Sequence, residues 1–85
     1  MSTLPKLTQG NIIEISWMDI VSDSHWLSKD LVNKRLPAPC MYVGYFINKD
    51  KHCIRCCNTI SCEDGESDYV VFPLGVINEI KVWKK

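Results

Sequence analysis

The stretch NIIEISW (residues 11–17) puts Ile13, Ile15 and Trp17 on one side of an extended chain and Glu14 and Ser16 on the other. That two-residue period limits the fold more than any other feature, because it describes a half-buried β-strand and no helix. Four more short stretches follow the same logic. CMYVGYFIN (40–48) is apolar on both faces and reads as a central strand, buried on two sides or strongly curved, with Gly44 as the point where it can bend. HCIRCCNTI (52–60) returns after the tight turn NKDK (48–51). SCEDGES (61–67) is a second hairpin loop in which Asp64-Gly65 tolerates positive φ. DYVVF (68–72), a turn at Pro73, Leu74 and Gly75, and the alternating VINEIKVW (76–83) complete the set.

Between the first two strands lies a long polar excursion, MDIVSDSHWLSKDLVNKRLPAP (18–39). Within it SKDLVNKR (28–35) predicts a short helix with Ser28 as N-cap, and Pro37 and Pro39 stop anything regular beyond it. Residues 1–10, with Pro5 and Gly10, read as a flexible arm. Eighty-five residues make one core, so residues 11–85 are expected as a single domain.

Five short strands bury too little as a flat open sheet and are expected to curl. The fold class is therefore all-β: a small five-stranded, partly open barrel. The long first loop and the tight turn before the last strand are the layout of the Src-homology-3-like barrel. The alternative is the Sm-like barrel, which normally begins with a helix, and Pro5 and Gly10 make the arm a poor one.

Ten Lys and Arg balance ten Asp and Glu. This neutrality disfavours a dedicated nucleic-acid binder, whose affinity rests on neutralising phosphates. No apolar run approaches the roughly 20 residues that cross a bilayer. The opening MSTLPKLTQG has no apolar core of a secretory signal, so a cytoplasmic location is expected. Five cysteines are an odd number, and a reducing compartment argues against a disulfide framework.

Four of the cysteines fall in KHCIRCCNTISC (51–62). Cys53 and Cys56 have zinc-knuckle spacing, and His52, Cys57 and Cys62 are further donors. A knuckle needs both sulfurs on one side of a turn. On a strand, Cys53, Arg55 and Cys57 share one face while Ile54 and Cys56 share the other. We therefore expect buried thiols acting as small hydrophobes, with no metal and no cofactor. If the segment turned instead of extending, Cys53, Cys56, Cys57 and Cys62 would be the ligands. A cysteine nucleophile would need an oriented base, and neither His25 nor His52 has one within reach of sequence reasoning. Asp19, Asp23 and Asp30 read as turn-capping carboxylates. No enzyme is expected.

Trp17 and Phe72 suit the core, whereas Trp26 stands in a polar loop beside His25 with no periodic partner. By analogy with the barrel's shared groove, Asp19, Asp23, His25, Trp26, Tyr42 and Pro73 are candidate binding residues; the opposing reading has Trp26 plugging the open end of the barrel. Lys49, Lys51 and Arg55 lie on one hairpin and can grip a phosphate if Arg55 faces outward.

The elements ISWMD (15–19), Trp26, VGYFINKDKHCIRCC (43–57), VVFP (70–73) and VINEIKVW (76–83) resemble a diffuse family of short proteins encoded by bacteriophages and prophages. That resemblance implies an accessory protein working inside a bacterial host cell, engaging a host or immune component in counter-defence or host takeover. An alternative is an oligomeric sponge that sequesters a small nucleotide signal in a pocket between subunits. A nucleic-acid-binding barrel is a further alternative, weakened because YVGYF carries aromatics without interleaved charge.

Overall fold

A computed structural model describes residues 4–22 and 25–83. The elements are β1 (Ile12–Asp19), α1 (Lys29–Asn33), β2 (Ala38–Lys49), β3 (Cys53–Cys57), β4 (Val70–Pro73), a 3₁₀ turn (Leu74–Val76) and β5 (Ile77–Val82). All five strands join one antiparallel sheet in the order β4-β3-β2-β1-β5. The protein is a small all-β domain, as the period-2 stretches predict.

β2 organises the sheet because both halves are built on it. Its residues from Ala38 to Tyr45 pair with β1, and those from Tyr45 to Lys49 pair with β3 across a bulge between Phe46 and Asn48. One face of each half is apolar, and together they bury Ile13, Ile15, Phe46, Ile54, Cys56, Phe72 and Ile80. Trp17 and Tyr42, from the β1–β2 half, meet Phe72 of β4 edge-on, at ring centroid distances of 4.9 and 5.3 Å.

That contact requires a folded sheet, and the β4–β5 connection says why. In a flat sheet, four strand spacings of about 4.8 Å would put β4 roughly 19 Å from β5. The Leu74–Val76 turn, rising about 2 Å per residue, is too short to cross that gap. The two halves are therefore bent over one another, with Leu74 N–H donating to His52 O at 3.0 Å to fix the corner. The sheet does not close into a barrel: among the described residues β4 and β5 remain unpaired edges.

Several local expectations change. β2 is apolar on both faces but buried on one; Met41, Val43 and Tyr45 point outward and are exposed. Gly44 does not mark a simple bend. A Cβ there would lie 2.6 Å from Cys57 O and 2.7 Å from the Tyr42 ring, which crosses over the glycine. β3 ends at Cys57, not Ile60, because the Asp68 carboxylate accepts the Asn58 and Thr59 N–H groups at 3.0 and 3.2 Å and replaces the ladder there. The segment 4–10, expected as a loose arm, lies on the sheet: Leu4 and Leu7 pack against the core, and Gly10 N–H donates to Phe46 O at 2.9 Å.

Candidate functional site

Most of the candidate residues fall into two groups, one at each end of β2. The first is the β2–β3 hairpin. Asp50 caps its turn: Oδ1 accepts the His52 and Cys53 N–H groups at 2.8 and 3.0 Å, and Oδ2 accepts Arg55 Nη2 at 3.1 Å. These donors, the backbone ones first, hold the Asp50 carboxyl well below the usual carboxylate range. Arg55 Nη1 donates to Asn48 Oδ1 at 2.9 Å. The guanidinium on which phosphate gripping would depend is thus engaged within its own hairpin. Lys49 and Lys51 are exposed beside it. Pro73, exposed at the end of β4, sits opposite Cys53 in the register.

The second group belongs to the excursion between Asp19 and Ala38, which pair with each other where the β1–β2 ladder ends. Asp19 is exposed, and its Oδ1 accepts the Ile20 N–H at 2.9 Å; Asp23 lies outside the described residues. Within the excursion, Ser28 Oγ accepts the Leu31 N–H at 3.3 Å and starts α1 as expected. A five-residue helix has little stability of its own, and α1 buries none of its residues. Trp26 is 100% exposed, Ile20 88% and Leu36 77%, so Trp26 plugs no open end of the sheet. Leu31 and Val32 are exposed as well. Val21, Ser22, His25, Leu27, Val32 and Arg35 line a half-open pocket of about 260 Å³ within the excursion.

The chain is elongated, and α1 packs none of its residues into the core. The radius of gyration is 16.1 Å and the principal extents are 51 × 31 × 24 Å, whereas a compact chain of this length has a radius of gyration near 12 Å. Sequence reasoning singled out Trp26 but passed over Ile20, Leu36, Leu31 and Val32. The signal was present, since these are large apolar residues in a polar stretch with no strand period to bury them.

Tyr42 belongs to neither group: it is half-buried against Phe72. Burial first, then Cys56, Asp68 and Cys57, pushes its hydroxyl from 10.0 up to about 12. The thiols run as the extended reading requires. Residues Cys53–Cys57 form β3, with Cys56 in the core and Cys53 facing away from it. Cys57, on the side opposite Cys56 and paired with Tyr45, is also buried. Burial, then the neighbouring Cys57, pushes the Cys56 thiol from 9.0 up to about 11.

Both raised values act in one direction. Above about pH 9 the unfolded chain loses these protons before the folded chain does, so stability falls with rising pH from about 9 to about 12. The denaturant midpoint should be flat from pH 7 to 8.5 and decline above pH 9, and Tyr42→Phe should soften the upper part of that decline. A midpoint unchanged at pH 10.5 would contradict the burial of these groups.

No family model, no curated protein and no solved structure matches the chain.

Proposed function

We propose that this is a non-catalytic binding protein that grips a protein partner through the 20–37 excursion, with the small sheet as its platform. The observation that carries the reading is the exposure of Ile20, Trp26 and Leu36 in an excursion whose helix buries nothing. Loops of this length are uncommon in a compact domain and are usually either functional or linkers, and this one joins adjacent strands of one sheet. Contiguous exposed apolar surface favours burial against another protein, and Trp is the residue most enriched at the centres of such contacts. The resemblance to bacteriophage-encoded proteins supplies the setting: an accessory protein in a bacterial cytoplasm, acting on a host or immune component. The small-nucleotide alternative draws less support, because Arg55 is held by Asp50 and Asn48.

The test is a comparison of two double variants in a host lysate, with a photo-crosslinking side chain at position 26 identifying the contacted protein. Trp26→Ala with Leu36→Ala should weaken capture of that protein at least about tenfold while leaving the melting temperature unchanged, since neither residue enters the core. Lys49→Ala with Lys51→Ala should leave capture intact. Equal loss in both variants, or loss only in the lysine variant, would refute the assignment.

A further inference from the structure

The far side of β5 is the longer of the sheet's two unpaired edges, six residues against four in β4. Among the described residues no backbone hydrogen bond reaches β5 from that side. Trp83 N–H donates to Ile12 O at 2.9 Å. In an antiparallel ladder the direction of the backbone groups alternates, so residues 79, 81 and 83 turn theirs toward β1, while Ile80 and Val82 turn theirs outward. The regular edge ends at Asn78, where β5 bulges: Ser16 pairs with Glu79, but Trp17 pairs with Ile77.

We propose that this edge binds a second copy of the chain, antiparallel, about a two-fold axis through Ile80. The inference is independent of the partner assigned to the excursion. Charge selects the register. Glu79 and Lys81 share the outer face, with Lys81 Nζ 4.0 Å from Glu79 Oε1 and both side chains about 60% exposed. Pairing through Ile80 and Val82 allows only a few alignments. An axis at residue 79 sets Glu79 against the second copy's Glu79, and an axis at 81 sets Lys81 against Lys81. An axis at Ile80 sets each Glu79 against the other copy's Lys81, twice, at the closely spaced positions where side chains interact most strongly. It also lets the two Ile80 residues exchange both backbone bonds and brings their side chains together where the two cores meet.

Charges on an edge strand usually keep other strands away. Here their alternation repels the two registers on either side of the Ile80 one. A two-fold contact is closed, and the Asn78 bulge stops the ladder from lengthening, so the product is a dimer rather than a fibre.

Sedimentation equilibrium of the full chain is expected to show a monomer–dimer equilibrium. E79K and K81E each set like charges opposite one another and should raise the dissociation constant about tenfold or more. An equimolar mixture of the two should recover the parent's affinity as a heterodimer, because each chain then offers two charges of one sign to two of the other. Circular dichroism checks that both variants remain folded. The proposal fails if the parent stays monomeric up to its solubility limit, if the variants dimerise as tightly as the parent, or if mixing them restores nothing.

Discussion

Phe72→Ala is expected to remove about 3–5 kcal/mol of stability, the usual cost of emptying a buried aromatic site. A chain of 85 residues has roughly 4–13 kcal/mol in total, so the variant should be marginal or unfolded. The melting temperature should drop by about 15 °C or more, at roughly 4–8 °C per kcal/mol for a domain of this size. Phe72 is singled out among the core residues by its position. It sits on the edge strand β4, pairs with Ile54, and is met edge-on by Trp17 and Tyr42 from the other half of the sheet. Removing the ring takes away the surface on which the two halves close, and no other strand can supply it, since β4 and β5 share no ladder. Phe72→Leu keeps most of the volume and should cost about 1.5 kcal/mol or less. Urea titrations of the two variants check the pair. A loss below about 1 kcal/mol for Phe72→Ala would mean that the halves are held together elsewhere.

The same residues show how far a sequence can be read. The alternation in NIIEISW identified β1 and its core face correctly: Ile13 and Ile15 are fully buried. Ser28 announced α1 because a cap is a contact within four residues of chain. The extended course of Cys53–Cys57 was legible for the same reason, and with it the separation of Cys53 from Cys56. What was illegible depends on residues far apart in sequence. Nothing local in CMYVGYFIN says that its outer face stays exposed, so an apolar run buried on one side reads like one buried on both. Nothing local at Asp68 says that its carboxylate will end a strand ten residues earlier. The pairing of Arg55 with Asp50 could be guessed from their closeness, but not that Asn48 would take the second nitrogen.

For the candidate site the difficulty was of another kind. Whether Trp26 plugs a barrel or stands in solvent depends on whether a loop folds back, and loop direction has no period. The apolar residues that accompany Trp26 carry the information only collectively. Ile20, Leu31, Val32 and Leu36 are each unremarkable alone, and all stay exposed because α1 packs none of its residues into the core. The helix exists through its cap and the chain ends that hold it, so the apolar side chains it presents stay exposed.

Gly44→Ala is expected to destabilise the protein by about 3 kcal/mol, against the ordinary rule for strands. Replacing glycine with alanine in a strand interior normally helps by about 0.5–1 kcal/mol, through lower entropy in the unfolded chain. Backbone conformation gives no reason for an exception, since the positive-φ residues are Gly10 and Gly65. Space gives one. An added methyl group would stand 2.6 Å from Cys57 O and 2.7 Å from Tyr42 Cε2 and its hydroxyl oxygen, closer than carbon tolerates. The tyrosine can swing away only by leaving Phe72. The carbonyl can retreat only by opening the β2–β3 ladder near Tyr45 and Cys57, where the sheet passes from one half to the other. Overpacking at such a point costs about 1–3 kcal/mol, occasionally more. A double-mutant cycle separates the two obstacles. In a Tyr42→Ala background Gly44→Ala should cost less than in the parent but should remain destabilising, because the Cys57 carbonyl is still in place. If Gly44→Ala proved neutral or stabilising in urea titration, β3 would have to lie farther from β2 than it does here, and the fold of the sheet about that point would have to be redrawn.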